Sequence, residues 1–357
     1  MRFEETDRPC QIEHGFWPDT YDRWRTEGLP ESIEKPDTWN YSQNANLYDY
    51  FDLTQIIYVR PTLGYWPPFE EKVLEEHERY RTVITSMGLK MKVRKTFGSP
   101  PQFIESPVQC RKDYALLRER MTGSVSNRYP KDWEARAQSL KTQDKKLVAT
   151  FMPGFFGWPR AVMGLTGFLV ALYEEPELIK DIIEDQITLY TEVYPKIINE
   201  VKPDFAFIWE DMCYRNGPLL SPAHFQEFML PAYRKICGFL NDMGVQNIVV
   251  DTDGDLLPLI PLFLRGGVTG LLPFEVTAGM DVVAIGEQFP DLRIFGGINK
   301  HEVAKGHEAI DAELSRVLPA MLKRGGYFVT LDHHVPPDVS FVDFRYYVNQ
   351  ALNASPS

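Results

Sequence analysis

The stretch Asn247-Ile-Val-Val250, Asp251-Thr-Asp-Gly254, Asp255-Leu-Leu-Pro-Leu-Ile-Pro-Leu-Phe-Leu-Arg265, Val268-Thr-Gly-Leu-Leu272, Pro273-Phe-Glu275 decides the fold. Two short apolar runs, Asn247–Val250 and Val268–Leu272, flank a helical pattern over Asp255–Arg265. A strand–helix–strand crossover brings the second strand back parallel to the first. The runs are apolar throughout rather than alternating, which marks strands buried on both faces. Outward from this unit the pattern repeats. Strands are expected at Leu147–Met152, Phe205–Trp209, Leu292–Phe295 and Tyr327–Leu331, and helices at Glu177–Val201, Ala223–Met243, Met280–Phe289 and Ile310–Arg324. Six such units fit an α/β fold of the (β/α)8 barrel type, provided the N-terminal region supplies the remaining strands. Gln11–Phe16 is a candidate for one of them. Residues 1–357 are read as a single domain, with the irregular, aromatic-rich 18–145 partly an elaborated N-terminal cap region or insertion. Within it, Val83–Thr96 reads as a β-hairpin turning at Met87-Gly88. A doubly wound sheet is the alternative, but the Gly-x-Gly-x-x-Gly phosphate signature is missing.

Active-site groups of a barrel sit at the C-terminal ends of its strands. Here those ends run into Glu13-His14, Glu210-Asp211, Asp251-Thr-Asp253, Pro273-Phe-Glu275, Asn299-Lys300 and Asp332-His-His334. Their repetition predicts a polar, acid-rich mouth. Asp255 reads equally well as a helix N-cap. His333 and His334 beside Asp332 can titrate near neutrality, with one of the two expected to face the site. Trp17 follows His14 within one loop and is a candidate pocket wall. Gly296-Gly297 fits either an anion-binding turn or close strand–helix packing. Cys213 has no fixed base near it in sequence.

The chain has 357 residues, 38 Lys+Arg and 50 Asp+Glu, a formal charge of −12, with 44% hydrophobic and 13% aromatic residues. This composition argues against disorder, and the acidity argues against nucleic acid and anionic membrane as partners. No apolar run approaches the roughly 18–20 residues of a membrane span. The scattered Cys10, Cys110, Cys213 and Cys237 form no Cys-x-x-Cys pair, so reduced thiols in a cytoplasmic setting are expected.

The strand-end segments together resemble the uroporphyrinogen decarboxylase superfamily over most of the chain. They are Glu210-Asp-Met-Cys-Tyr-Arg-Asn-Gly-Pro-Leu-Leu-Ser-Pro222, Phe228-Met-Leu-Pro-Ala-Tyr233, Val250-Asp-Thr-Asp-Gly254, Gly270-Leu-Leu-Pro-Phe-Glu275, Ile294-Phe-Gly-Gly-Ile-Asn-Lys300 and Asp332-His-His-Val-Pro-Pro-Asp338. The resemblance implies a (β/α)8 barrel with one of two chemistries. One is cofactor-free decarboxylation of a tetrapyrrole; the other is methyl transfer between a corrinoid protein and an acceptor. The decarboxylases of the superfamily carry an Arg-rich N-terminal segment, whereas Pro9-Cys-Gln-Ile-Glu-His-Gly-Phe-Trp-Pro18 holds no arginine. The thiol-directed methyltransferases use a zinc held by a His-x-Cys pair and a later Cys, and the matching positions here are Asp251, Asp253 and Leu331 or Asp332. Carboxylates alone suit zinc poorly and leucine cannot ligate it, so no metal site and no stoichiometric structural zinc are expected.

The expectation is therefore a corrinoid-linked methyltransferase with no tightly bound cofactor. A separate protein would present methylcobalamin, and tetrahydrofolate or a methylated small molecule would be the other substrate. On this reading His333, Glu275 and Asp251 are catalytic. His14, Trp17, Glu210, Asp211, Asp253 and Asn299 bind substrate, the aspartates accepting from a pterin's ring N–H groups. A decarboxylase acting without a cofactor and a non-catalytic binding barrel are the alternatives, and a homodimer stays open.

Overall fold

The computed structural model describes residue 3 and residues 9–35, 45–95, 101–122, 125–141 and 146–354. Seven strands form one sheet in the order Gln55–Val59, Lys146–Pro153, Phe205–Trp209, Ile248–Asp251, Gly270–Leu272, Arg293–Phe295, Tyr327–Phe328. All six neighbouring pairs are parallel. The order in space is the order in sequence, so each crossover advances one strand in the same sense and the sheet curls. One short segment bonds to both of its edges. Ile12 N donates to Val329 O and Val329 N to Cys10 O, each at 3.0 Å, while Thr54 N donates to Gln11 O at 2.9 Å.

The curled sheet separates two apolar cores. Inside lie Ile12, Ala149, Phe207, Val249, Leu272 and Phe328 from successive segments, with the Phe295 and Phe328 rings stacked 4.1 Å apart. Outside, helices cover the convex face. The longest, Pro176–Val201, buries Ile179, Ile182, Leu189, Val193 and Ile197, the stripe that its 3.6-residue period predicts. Tyr190 and Tyr194 lock it to the neighbouring strand by donating to Pro153 O and Phe151 O, each at 2.6 Å.

Most expected elements are present with shifted ends. The expected helix Ala223–Met243 is divided into Pro222–His224, a wide turn over Phe225–Met229, and Leu230–Asp242. Pro231 has no N–H to donate, and the wide turn absorbs the missing bond. Within 18–145 the structure adds a strand that the sequence reading had not placed. This region is not all peripheral, because Gln55–Val59 lies inside the parallel sheet beside Lys146–Pro153. The expected hairpin is present as Tyr80–Ile84 and Lys90–Arg94, and belongs to a four-stranded antiparallel sheet with Lys72–Glu76 and Gln102–Glu105. Thr96 and residues 142–145 lie outside the described residues. Among the described residues, no helix is long and apolar enough to cross a membrane.

Candidate functional site

Backbone pairing at the sheet's closure assembles the site from opposite ends of the chain. Phe16 bridges Val335 in parallel, and Val335 N donates to Gly15 O at 2.9 Å. His14 is thereby set against His333 and His334. Its ring centroid is 5.5 Å from that of His333 and 4.7 Å from that of His334. The Nδ1 atoms of His333 and His334 lie 3.1 Å apart, and one nitrogen from each of the three rings falls within 4.8 Å of the others. Trp17 stacks on His333 with ring centroids 6.3 Å apart. Gly15 makes this possible, since a Cβ there would lie 2.5 Å from His334 Cδ2.

Asp253 meets the cluster from the loop after Ile248–Asp251, with Oδ1 3.5 Å from His333 Nε2. Burial favours the neutral Asp253 carboxyl, but His333, His14 and Lys300 outweigh it and lower the pKa. For His333, burial acts downward, and the charges of Asp253 and Glu275 raise its pKa overall. His14 is held at about 3, by burial first and then by His333. His334 is driven well below its ordinary value by burial and His14. His14 and His334 are therefore neutral bases beside the Asp253–His333 pair. Glu275 accepts from Gly254 N at 2.9 Å, and burial and then the Asp253 charge raise its pKa.

The other expected site residues part ways. Glu210 does not line the mouth. It is fully buried and accepts from the N–H groups of Phe155, Phe156 and Gly157 at 2.8, 2.7 and 2.8 Å, and from the Tyr233 hydroxyl. It staples the turn after Lys146–Pro153. Asp211, in the left-handed backbone region, accepts from Arg160 at 2.8 Å. Asp251 is 4% exposed, and its charge, after burial, raises the pKa of the Tyr58 phenol. Asn299 accepts from His301 N at 2.9 Å and so caps the helix Lys300–Val303. Asp255 likewise accepts from Leu257 N at 3.1 Å, a local turn bond.

Two cations temper the expected acidity. Lys300 Nζ lies 3.1 Å from Asp332 Oδ1, with side chains 14% and 0% exposed. Arg160 lies 4.8 Å over the Trp209 ring. Lys300 stood at a strand end in the sequence, where the row of acids masked it. Burial pushes the Cys213 thiol up to about 12, which makes it a poor nucleophile. Both glycines after Phe295 serve close packing: a Cβ on Gly296 would meet Pro273 O at 1.8 Å, and one on Gly297 would meet Val282 Cγ1 at 2.2 Å.

A cavity of about 1230 Å³ opens at the ends of the first three strands, with Tyr58, Arg60, Trp133, Arg136, Trp158 and Trp209 in its wall. Ser86 and Met87, from the hairpin turn, also line it. The Trp158 Nε1–H has no hydrogen-bond partner among the described residues.

The family model for Uroporphyrinogen decarboxylase (URO-D) matches residues 80–353. A uroporphyrinogen decarboxylase of Streptomyces coelicolor is 23% identical over 278 residues, 71% of this chain and 69% of that protein. One of Syntrophotalea carbinolica is 25% identical over 170 residues, 47% of this chain, and the match spans only 46% of its length. Among solved structures, a methyltransferase from Methanosarcina mazei superposes with a TM-score of 0.60, at 15% identity, over 96% of this chain and 93% of that one.

Proposed function

The chain belongs to the uroporphyrinogen decarboxylase family, and on that premise we propose that it is a corrinoid-linked methyltransferase. In this reading a methyl group moves between a separate cobalamin protein and tetrahydrofolate or a methylated small molecule. We read the curled sheet with Cys10–Phe16 as an eight-stranded barrel, with the antiparallel sheet as part of a covering N-terminal region. The observation that carries the function is the Asp253–Glu275–His333 group, alongside an aromatic cavity at the ends of the first three strands. A flat heteroaromatic ring would meet the aromatic side chains of Tyr58, Trp133, Trp158 and Trp209, and the carboxylates of Asp253 and Glu275, beside His333, are the acceptors proposed for its N–H donors. Asp251, at the end of Ile248–Asp251, would accept from such donors, while the Trp158 N–H, which has no partner among the described residues, would serve an acceptor on the ring. The paired His333, or Glu275, would hold and return the proton that exchange at a ring nitrogen requires.

Arg60 and Arg136 in the same wall favour a second reading, a cofactor-free decarboxylase gripping a carboxylated substrate. Melting temperatures with each ligand separate the two, because a ligand that binds only the native state raises them. Tetrahydrofolate is expected to stabilise the wild type, and Asp251→Asn to weaken that binding by about 1–3 kcal/mol. Stabilisation by a polycarboxylated porphyrin, with none from tetrahydrofolate, makes the decarboxylase reading the correct one.

A further inference from the structure

His14, His333 and His334 come from opposite ends of the chain, and one nitrogen of each converges within 4.8 Å. His14 and His334 are 6% and 1% exposed, so the rings meet where water is largely excluded. Two buried imidazoles and a half-buried third rarely gather without a reason, since each brings a polar edge that burial penalises. Two ring nitrogens 3.1 Å apart share either a proton or a cation. In a tetrahedral zinc site with Zn–N bonds of roughly 2.0–2.1 Å, neighbouring ligand nitrogens stand about 3.3 Å apart. The His333–His334 pair already has that spacing.

Asp253 supplies a second, independent indication. A metal-bound imidazole turns its other nitrogen toward a carboxylate, which sets the tautomer and the ring orientation. Asp253 Oδ1 stands 3.5 Å from His333 Nε2, on the side of the ring away from Nδ1. A proton held on Nε2 toward Asp253 leaves Nδ1 with its lone pair facing His334. Packing fixes the partner ring, because Gly15 leaves no room beyond His334 Cδ2 and Nε2. His333, at 18% side-chain exposure, is the member that solvent reaches.

We infer that His14, His333 and His334 form a three-histidine binding site for a divalent metal of the zinc class, with Asp253 as the carboxylate that orients His333. Imidazole donors select such ions over magnesium or calcium. Three protein ligands leave a coordination position for water or a substrate atom, the pattern of catalytic rather than structural zinc. The site shares no ligand with the aspartates and leucine or aspartate considered from the sequence, and its occupancy does not depend on which reaction the protein performs.

The test uses the full chain with any affinity tag removed, stripped with a chelator and dialysed. Calorimetric titration with Zn²⁺ alone, and visible absorbance with Co²⁺ alone, should each give one site per chain. Zn²⁺ should raise the melting temperature of the wild type. His14→Ala and His334→Ala should each weaken binding more than about 100-fold, and Asp253→Asn by about 10-fold. Circular dichroism of the metal-free variants checks that they fold; His333→Gln, the more exposed position, replaces any that does not. Absence of stoichiometric binding in the wild type overturns the inference, as does binding of wild-type strength in folded His14→Ala or His333→Gln. None of these readouts involves methyl transfer, so the metal site can fail while the proposed activity stands, and the reverse.

Discussion

At the scale of single residues, carboxylates that look alike in the sequence do opposite work. Glu210 and Asp253 each follow a buried strand closely. Glu210 has a neighbouring glycine, Gly154, where a Cβ would sit 2.0 Å from its Cδ, and the carboxylate fills that space among four donors. Asp253 keeps partial exposure and a histidine partner. Glu210→Ala would strand three buried backbone N–H groups and the Tyr233 hydroxyl. It is expected to cost at least about 3 kcal/mol, since each buried donor left unpaired costs about 1–3 kcal/mol. Asp253→Asn should leave stability within about 1 kcal/mol, since a half-open ion pair contributes little. Urea unfolding of both variants measures the difference; equal destabilisation would show that Glu210 is not the staple.

At the scale of elements, the turns between strands and helices are set by backbone contact. The turn after Arg293–Phe295 passes so close to the neighbouring strand end that Gly296, at φ 118°, has no room for a side chain against Pro273 O. A methyl there must push backbone rather than a flexible side chain. Gly296→Ala is therefore expected to lower stability by more than about 2 kcal/mol. A thermal melt of this variant beside Gly279→Ala, where a Cβ meets nothing within 4 Å, separates crowding from the loss of glycine's backbone freedom. If both variants melt alike, the close packing at Gly296 carries no energetic weight.

At the scale of the whole molecule, the N-terminal segment both joins the sheet edges and brings His14 to the site. Ile12 and Phe16 are each 2% exposed, and burying such side chains contributes roughly 1.5–3 kcal/mol apiece. Removing residues 1–16 also frees both sheet edges, so the melting temperature should fall by at least about 10 °C. Circular dichroism melts of the shortened and full chains read this directly. An unchanged midpoint would mean that the seven-stranded sheet holds its curl without the closing segment.

The repeating strand–helix units from Leu147 onward are legible in the sequence, because continuous apolar strands and 3.6-residue helical stripes are local patterns. The sequence also placed His14, Asp253, Glu275 and His333 at strand ends, where the family's chemistry resides. Gln55–Val59 stayed hidden: Gln-Ile-Ile-Tyr-Val is short, and nothing local tells a sheet strand from one in a peripheral region. Only the tertiary structure decided that Glu210 turns inward to a ring of backbone donors while Asp253 turns to a histidine. Only it decided that His14, near one end of the chain, and the adjacent His333 and His334, near the other, converge within 4.8 Å. A pairing between residues some 320 positions apart leaves no trace in local periodicity, since it exists only once the curled sheet has brought its first and last segments together.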